Sequence, residues 1–545
     1  MKEGTFSISG RIVDVVEGRI FPGTVMVAGG KIIDVREEAV AEAGFILPGL
    51  IDAHIHIESS MLIPSEFARL AVIQGTVATV SDPHEIANVL GIEGIKFMIA
   101  NGRKVPFRFY FGASSCVPAT PFETSGAALG EKEIDELLGM DEIYYLSEMM
   151  NFPGVLAEDP LVMAKLRLAR VHGKPVDGHA PGLRGKDARK YIEAGISTDH
   201  ECFSLDEAMD KAGDGMKILI REGSAARNFD TLAPLLKSFP DQVMFCSDDR
   251  HPDDLAKRHI NDIVRRALAM GYDPVTVIRA CTLNPVRHYR LDTGLLQPGD
   301  PADFIVVDGL ESFRVLKTYI DGNLVAENGK SLISPVVEEP VNRFHAEPVA
   351  VSALAISPAG KRIRVIEALE GQLITYGLNE TMQTEAGNVI SDPAHDILKM
   401  VVLNRYESAP PAIAFVRNFG LKRGAIASTV AHDSHNVIAV GVTDADIAKA
   451  INTLVASKGG ICCTDGDRVL HLPLPVAGLM SADDGFEVAK AYEELDREAH
   501  RLGSRLRAPF MTLSFMALLV IPELKLSDKG LFDGNTFAFT PLFLD

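Results

Sequence analysis

Short apolar runs closed by polar or glycine-bearing turns dominate the middle of the chain. Eight of them read as strands: Leu50–Ile57, Val77–Ser81, Arg108–Gly112, Ile143–Leu146, Pro175–Gly178, Ser197–His200, Met216–Arg221 and Val243–Ser247. Amphipathic runs of helical spacing lie between most of them, as in Ser65–Gln74, Pro160–Val171, Lys186–Ala194 and Asp254–Met270. Eight such βα units predict an α/β fold, a closed (β/α)8 barrel that presents its functional side chains at the C-terminal ends of its strands. A doubly wound open sheet is the alternative, but no G-x-G-x-x-G follows any of these strands.

The flanks have a different rhythm. Phe6–Val16, Gly23–Val27 and Lys31–Val35 are β-rich and separated by glycine-bearing turns, and the same character returns in Gly294–Val307, Val315–Ile320 and Leu324–Ala326. Residues 1–47 and 290–345 are therefore expected to pair into one small β-sandwich domain around a barrel at 48–289. From Arg362 strands come in succession, at Lys399–Arg405, Ala412–Phe419, Ala425–Val430 and Asn436–Val442. A helix at Asp444–Lys458, a strand pair around Asp465-Gly466-Asp467 and a charged helix at Asp484–Leu502 follow. This order predicts a separate α+β domain over 346–545. Its boundary falls in the proline-bearing segment from Ser334 to Pro348.

Composition narrows the function classes. The 545 residues carry a formal net charge of -20, which opposes binding to nucleic acid or an anionic membrane and suits a small neutral or cationic substrate. A homo-oligomer is compatible with this surface and not required by it. Cys116, Cys202, Cys246, Cys281, Cys462 and Cys463 form no C-x-x-C pair, as expected of buried thiols in a reducing compartment. Met1-Lys2-Glu3-Gly4 has no signal-peptide architecture, and the apolar run Phe510–Ile521 is too short to span a bilayer. A cytoplasmic protein is the expectation.

The candidate chemistry sits at the strand ends. Pro48-Gly49-Leu50-Ile51-Asp52-Ala53-His54-Ile55-His56 runs an apolar strand into two histidines that share a face, because residues i and i+2 of a strand project together. Further strands end in Ser81-Asp82-Pro83-His84-Glu85, Ser147-Glu148, Asp177-Gly178-His179, Thr198-Asp199-His200-Glu201 and Ser247-Asp248-Asp249. A closed barrel gathers these on one rim. His54, His56, His179 and His200 with Glu148 and Asp248 would hold two divalent cations, with the glutamate between them. Asp248 is preferred to Asp249 because it comes first after the apolar strand. His84 and Glu85 have a simpler reading as the start of a capped helix, since Asp82 to Glu85 fits the capping pattern. In the last domain, Ala431-His432-Asp433-Ser434-His435-Asn436 joins two strands. Turn chemistry accounts for it and is the preferred reading; the alternative is a loop folded over the barrel mouth. The charges Glu493, Glu494, Asp496, Arg497 and Glu498 read as a solvated helix face.

The segment Pro48–His56, the later single histidines and the late Ser247-Asp248 resemble the amidohydrolase superfamily. More narrowly, His54–Met61, Ser81–Val89 and Ser147–Asn151, with the long C-terminal domain, resemble the bacterial adenine deaminases over essentially the whole chain. Many superfamily members place a carbamylated lysine on the fourth strand, but no lysine occurs between Asp141 and Val162, and Glu148 stands there instead. The adenine deaminases similarly use glutamate at that position.

The resemblance implies hydrolytic deamination of adenine to hypoxanthine and ammonia, in purine salvage, with Mn2+ or Fe2+ favoured and Zn2+ admitted by the donor set. It implies Asp248 as general base and then acid, His84 as the group that polarises the ring, and Glu85 or Glu222 as partners of ring nitrogens. The H-x-E with P-C-x-x-C motif of the zinc nucleobase deaminases is missing. Two other readings stand beside this one. A cyclic-amide hydrolase of the dihydroorotase or hydantoinase type would usually carry the lysine. A metal-free scaffold would be expected to have lost ligands.

Overall fold

The structure, a computed structural model, describes residues 4–41, 44–224 and 226–545. Residues 1–3 and 42–43, which belong to the expected span 1–47, lie outside the described residues. Both flanks enter one eight-stranded sheet, whose order along the sheet is Lys330–Ser331, Asn323–Glu327, Val315–Ile320, Phe304–Val307, Phe45–Pro48, Phe6–Asp14, Arg19–Ala28 and Lys31–Glu37. The two flanks meet where Phe304–Val307 pairs antiparallel with Phe45–Pro48. The sheet encloses its own core, with Ile12, Phe21, Val25, Ile46, Phe304 and Tyr319 in one cluster. Tyr319 lies between the rings of Phe304 and Phe6.

At Pro48 the chain leaves this sheet and, after Gly49, enters the barrel. A Cβ on Gly49 would lie 2.4 Å from a methyl of Val77, so only glycine permits this approach. Eight parallel strands follow in chain order: β1 (Leu50–His56), β2 (Thr76–Ser81), β3 (Arg108–Ala113), β4 (Ile143–Met149), β5 (Val176–Gly178), β6 (Thr198–Asp199), β7 (Lys217–Arg221) and β8 (Val243–Cys246). β1 to β5 form one parallel ladder and β6 to β8 another. A hydrogen bond from Ser197 N to Val176 O (2.9 Å) joins them at one seam. Asp248–Asp249, just beyond β8, pairs in parallel with Ile55 and His56 and closes the other. Every residue of β1 and β2 is buried, as expected of parallel strands covered on both faces.

One expected helix is interrupted. Instead of a continuous Asp254–Met270, the chain forms Pro252–Lys257 and Ile260–Ala269, with a break at Arg258–His259. The cause is the His259 ring, which is drawn into the barrel to bond Asp52 (2.8 Å) and Thr76 (2.7 Å).

Beyond an extended connection, the C-terminal region builds a nine-stranded sheet that includes β9 (Ile397–Leu403), β10 (Ala412–Arg417), β11 (Ala425–Ser428) and β12 (Val437–Gly441). Adjacent residues of β9 serve opposite faces: Val401 and Leu403 pack toward the helix Asp444–Ser457, whereas Met400 and Val402 join the core shared with the barrel. The helix Gly485–Leu502 docks on the barrel through Arg69, whose guanidinium bonds Asp484 at 2.9 Å. Its charged face is not all solvated. Glu498 is buried and paired with Arg468 and Arg501. Among the described residues no helix is long and apolar enough to cross a membrane, and all six cysteines are buried and unpaired.

Candidate active site

His54 and His56 project from the end of β1 toward the same oxygen. Asp248 Oδ1 lies 3.3 Å from His54 Nε2 and 3.2 Å from His56 Nε2. Glu148, at the end of β4, stands between two groups of imidazoles. Its Oε1 is 3.3 Å from His56 Nε2, while its Oε2 accepts from His179 Nδ1 (2.7 Å) and lies 3.3 Å from His200 Nε2. The His200 ring stacks on that of His54, with centroids 4.1 Å apart. His56 Nδ1 donates to the carbonyl of Asp82 (3.1 Å), which directs Nε2 into the cluster.

All six side chains are buried. Burial by itself would raise the pKa of Glu148, but His179 and then His200 hold it well below the usual carboxylate range. Burial likewise opposes ionisation of Asp248, and Arg221 with His54 and His56 outweighs it. Both carboxylates are thus kept anionic. Both ring nitrogens of His54 and Nε2 of His179 are buried without a hydrogen-bond partner among the described residues. Unpaired imidazole nitrogens beside two anionic carboxylates form a donor set that fits divalent cations.

A ring of supports holds these groups. Asp52 accepts from Ser247 N (2.9 Å) and from the Ser247 hydroxyl, and it faces His259 Nε2 at 2.8 Å, so β1 and β8 are tied beneath the site. Lys211 donates to Ala180 O (2.7 Å), Glu207 (2.7 Å) and Asp199, which ties the loop after His179 to the segment before His200. Arg221, at the end of β7, donates to Asp248 Oδ2 (2.7 Å) and to both oxygens of Glu201. Asp248 itself sits at φ 55°, a conformation that non-glycine residues seldom adopt and that recurs at functional sites.

His84 stands beside the cluster, with Nδ1 3.1 Å from Asp82 and 3.4 Å from Glu148 Oε1. The capping reading of Glu85 does not hold. Asp82 does accept from His84 N (3.1 Å), but Ile86 N is bonded by Glu58 (3.1 Å), and the Glu85 carboxylate turns to the C-terminal domain. There it accepts from His432 Nδ1 (2.6 Å) and from His435 Nε2. His435 Nδ1 accepts from Ala431 N (3.2 Å), so the proton of its neutral ring is on Nε2. The loop between β11 and β12 is therefore a turn and also a roof over the barrel, which overturns the preference for turn chemistry alone. Phe515 stacks on His432 with centroids 4.7 Å apart and continues the roof. Beneath it lies a cavity of about 30 Å³ bordered by His84, Glu148, Asp248, Met150, Leu373 and Asp433.

One candidate falls elsewhere, and another is bound within the site. Glu222 does not border this cavity: it bonds Arg266 and accepts from Phe229 N (3.4 Å). Arg221 turns into the barrel mouth, so its neighbour projects the other way. Asp249 borders the cavity but binds the Ser59 hydroxyl (2.5 Å), leaving Asp248 as the carboxylate that faces both histidines. Arg221, Glu201 and Asp433 were not singled out from sequence. The first two had a signal, as charged residues at the ends of β7 and β6. Asp433 lay within the loop whose alternative reading was a cover for the barrel mouth, but its own role depends on how the domains pack.

Residues 45–325 match the amidohydrolase family, and residues 372–538 match the adenine deaminase C-terminal domain. The chain is 56% identical over 550 residues to the adenine deaminase of Methanosarcina mazei, covering 98% of this chain and 99% of that one. It is 56% identical over 544 residues to the adenine deaminase of Salinibacter ruber, covering 99% of both. For the adenine deaminase of Sulfurovum sp. the values are 57% over 528 residues, with 97% of this chain and 98% of that one covered.

Proposed function

The chain belongs to the amidohydrolase family as one of its adenine deaminases, and from that membership we propose that it hydrolyses adenine to hypoxanthine and ammonia. Water adds to C6 of the purine, the C6–N bond breaks, and the amine leaves with a proton it lacked in the substrate. His54, His56, Glu148, His179, His200 and Asp248 would hold two divalent cations, with Mn2+ or Fe2+ favoured and Zn2+ also suited to these donors. When bound, such cations supply Lewis acidity that brings the pKa of water toward neutrality.

The protein's own groups handle positioning and protons. Asp248 takes the proton from the attacking water and returns it to the departing amine, a general base and then acid role. Arg221, bonded to its Oδ2 at 2.7 Å, fixes the carboxylate during both transfers. His84 lies within 3.4 Å of Glu148 and polarises the ring as charge develops on it. The roof excludes water, which strengthens each of these interactions.

The observation that carries the reading is Glu148 itself, one carboxylate with an oxygen toward His56 and the other toward His179 and His200. A glutamate where cyclic-amide hydrolases usually carry a lysine also favours adenine over a cyclic amide as substrate. We assign catalysis to 48–289, with the small β domain from 1–47 and 290–345 and the roof from 346–545. The six unpaired buried thiols support a reducing, cytoplasmic setting, and the adenine reading suits purine salvage. Incubation with adenine, following ammonia and the ultraviolet change to hypoxanthine on protein of known metal content, tests the reading. Metal-loaded protein that leaves adenine intact but opens dihydroorotate or hydantoin would transfer it to the cyclic-amide class.

A further inference from the structure

We propose that Asp433, supplied by the roof loop, recognises the imidazole N–H of adenine and so restricts the enzyme to the free base; this rests on the adenine reading above. The cavity has an apolar part, Met150, Leu373, Phe515 and Leu518, suited to the faces of a flat ring. Its carboxylates must then read the ring's edge, and nearly all of them are committed. Glu148 is shared among imidazoles, and Asp248 and Glu201 are held by Arg221. Both oxygens of Glu85 are taken by His432 and His435, and Asp249 binds Ser59.

Asp433 is the exception. It is 3% exposed, and its Oδ2 has no hydrogen-bond partner among the described residues. Its Oδ1 faces His84 Nε2 at 3.8 Å, beyond hydrogen-bonding distance. An unpaired buried carboxylate is costly, and it persists where a ligand supplies the missing donor. An ionised carboxylate only accepts hydrogen bonds. Adenine offers two kinds of donor: the C6 amine, which is the reacting group, and one imidazole N–H. N1, N3 and the second imidazole nitrogen are acceptors. With the amine at the metal cluster, the donor left for Asp433 is the imidazole N–H. A purine substituted at N9 lacks that N–H and presents carbon to the carboxylate. Sites built to pair a donor reject analogues without it by ~10⁴-fold or more.

The experiment compares adenine with 9-methyladenine on the metal-loaded wild type, Asp433→Asn and Asp433→Ala. The expected result is a KM for adenine raised at least ~10-fold with a smaller change in kcat and unchanged metal content. The ratio of kcat/KM for adenine to that for 9-methyladenine should fall at least ~100-fold in Asp433→Ala, where both the carboxylate and its bulk are gone. Because Asp433 Oδ2 has no hydrogen-bond partner among the described residues and Oδ1 only faces His84 at 3.8 Å, both variants should melt close to the wild-type Tm without substrate. If Asp433→Ala fails to fold, the near-isosteric Asp433→Asn decides through its KM. An adenine KM and a discrimination ratio that both stay within ~3-fold of wild type would overturn the assignment. A wild type that does not deaminate adenine would instead overturn the proposed function.

Discussion

His432 Nδ1 lies 2.6 Å from Glu85 Oε1, across 347 positions of sequence and between two different domains. His435 holds the other oxygen of the same carboxylate. The barrel thus carries the buried histidine and carboxylate cluster, which is compatible with divalent cations, and the C-terminal domain completes the chamber above it.

Cutting this tie should impair catalysis and leave the metal cluster intact. His432→Ala and His435→Ala each leave a Glu85 oxygen without its charge-assisted partner, an interaction worth about 1.5–3 kcal/mol. Turnover of adenine is expected to fall ~10–100-fold in each variant, with metal content unchanged by elemental analysis. Normal kcat in both would remove the roof from the mechanism.

Glu148→Gln keeps the shape of the side chain but discards its charge. Because that oxygen pair faces His56 on one side and His179 and His200 on the other, at least one metal equivalent should be lost. Activity should drop by more than the ~10–100-fold typical of removing a supporting residue. Full metal occupancy with near-native kcat would show that Glu148 is not a ligand.

Lys211 is fully buried and paired with Asp199 and Glu207. Lys211→Met leaves two acidic groups without their cation in the interior, a class of change that costs about 3–5 kcal/mol. A clear fall in Tm is expected, with weaker metal retention because the segments next to His179 and His200 loosen. An unchanged Tm would mean that the staple is dispensable.

Lys525 supplies a pH test. Its buried Nζ donates to the carbonyls of Leu373 (2.7 Å) and Phe515 (3.0 Å), both beside the cavity, and burial pulls its pKa down to about 7 from 10.5. The unfolded chain keeps this proton until pH 10.5, whereas the folded chain releases it from about pH 7. Folding is therefore penalised at and below pH 7, and the penalty fades as pH rises toward 10.5. Compared with Lys525→Met, which has nothing to titrate there, the native protein should gain Tm steadily over that window. A Tm difference that does not vary with pH would contradict this.

The eight barrel strands were legible because each is a short apolar run with its own closing turn. The pairing of the flanks was legible from their shared β-rich rhythm. His54 and His56 could be read as a unit because an i, i+2 spacing fixes a common face wherever the strand lies. The break at His259 was not legible: its cause is a ring drawn to Asp52 and Thr76, which sequence places far away. The contacts of Glu85 were not legible for a similar reason. Its local pattern is that of a helix cap, but its partners come from another domain.

The amino-acid order alone therefore determined which strands form, which polar residues end them, and that four histidines with two carboxylates could meet at one mouth. Only the tertiary structure decided which oxygen of Asp248 faces the histidines, that Arg221 holds the other, and that Asp433 stands over the cavity with Oδ2 unbonded among the described residues. Strand alternation is a property of neighbouring residues and survives in any context. Contacts such as Glu85 with His432 exist only once two domains have packed, and no local periodicity encodes them.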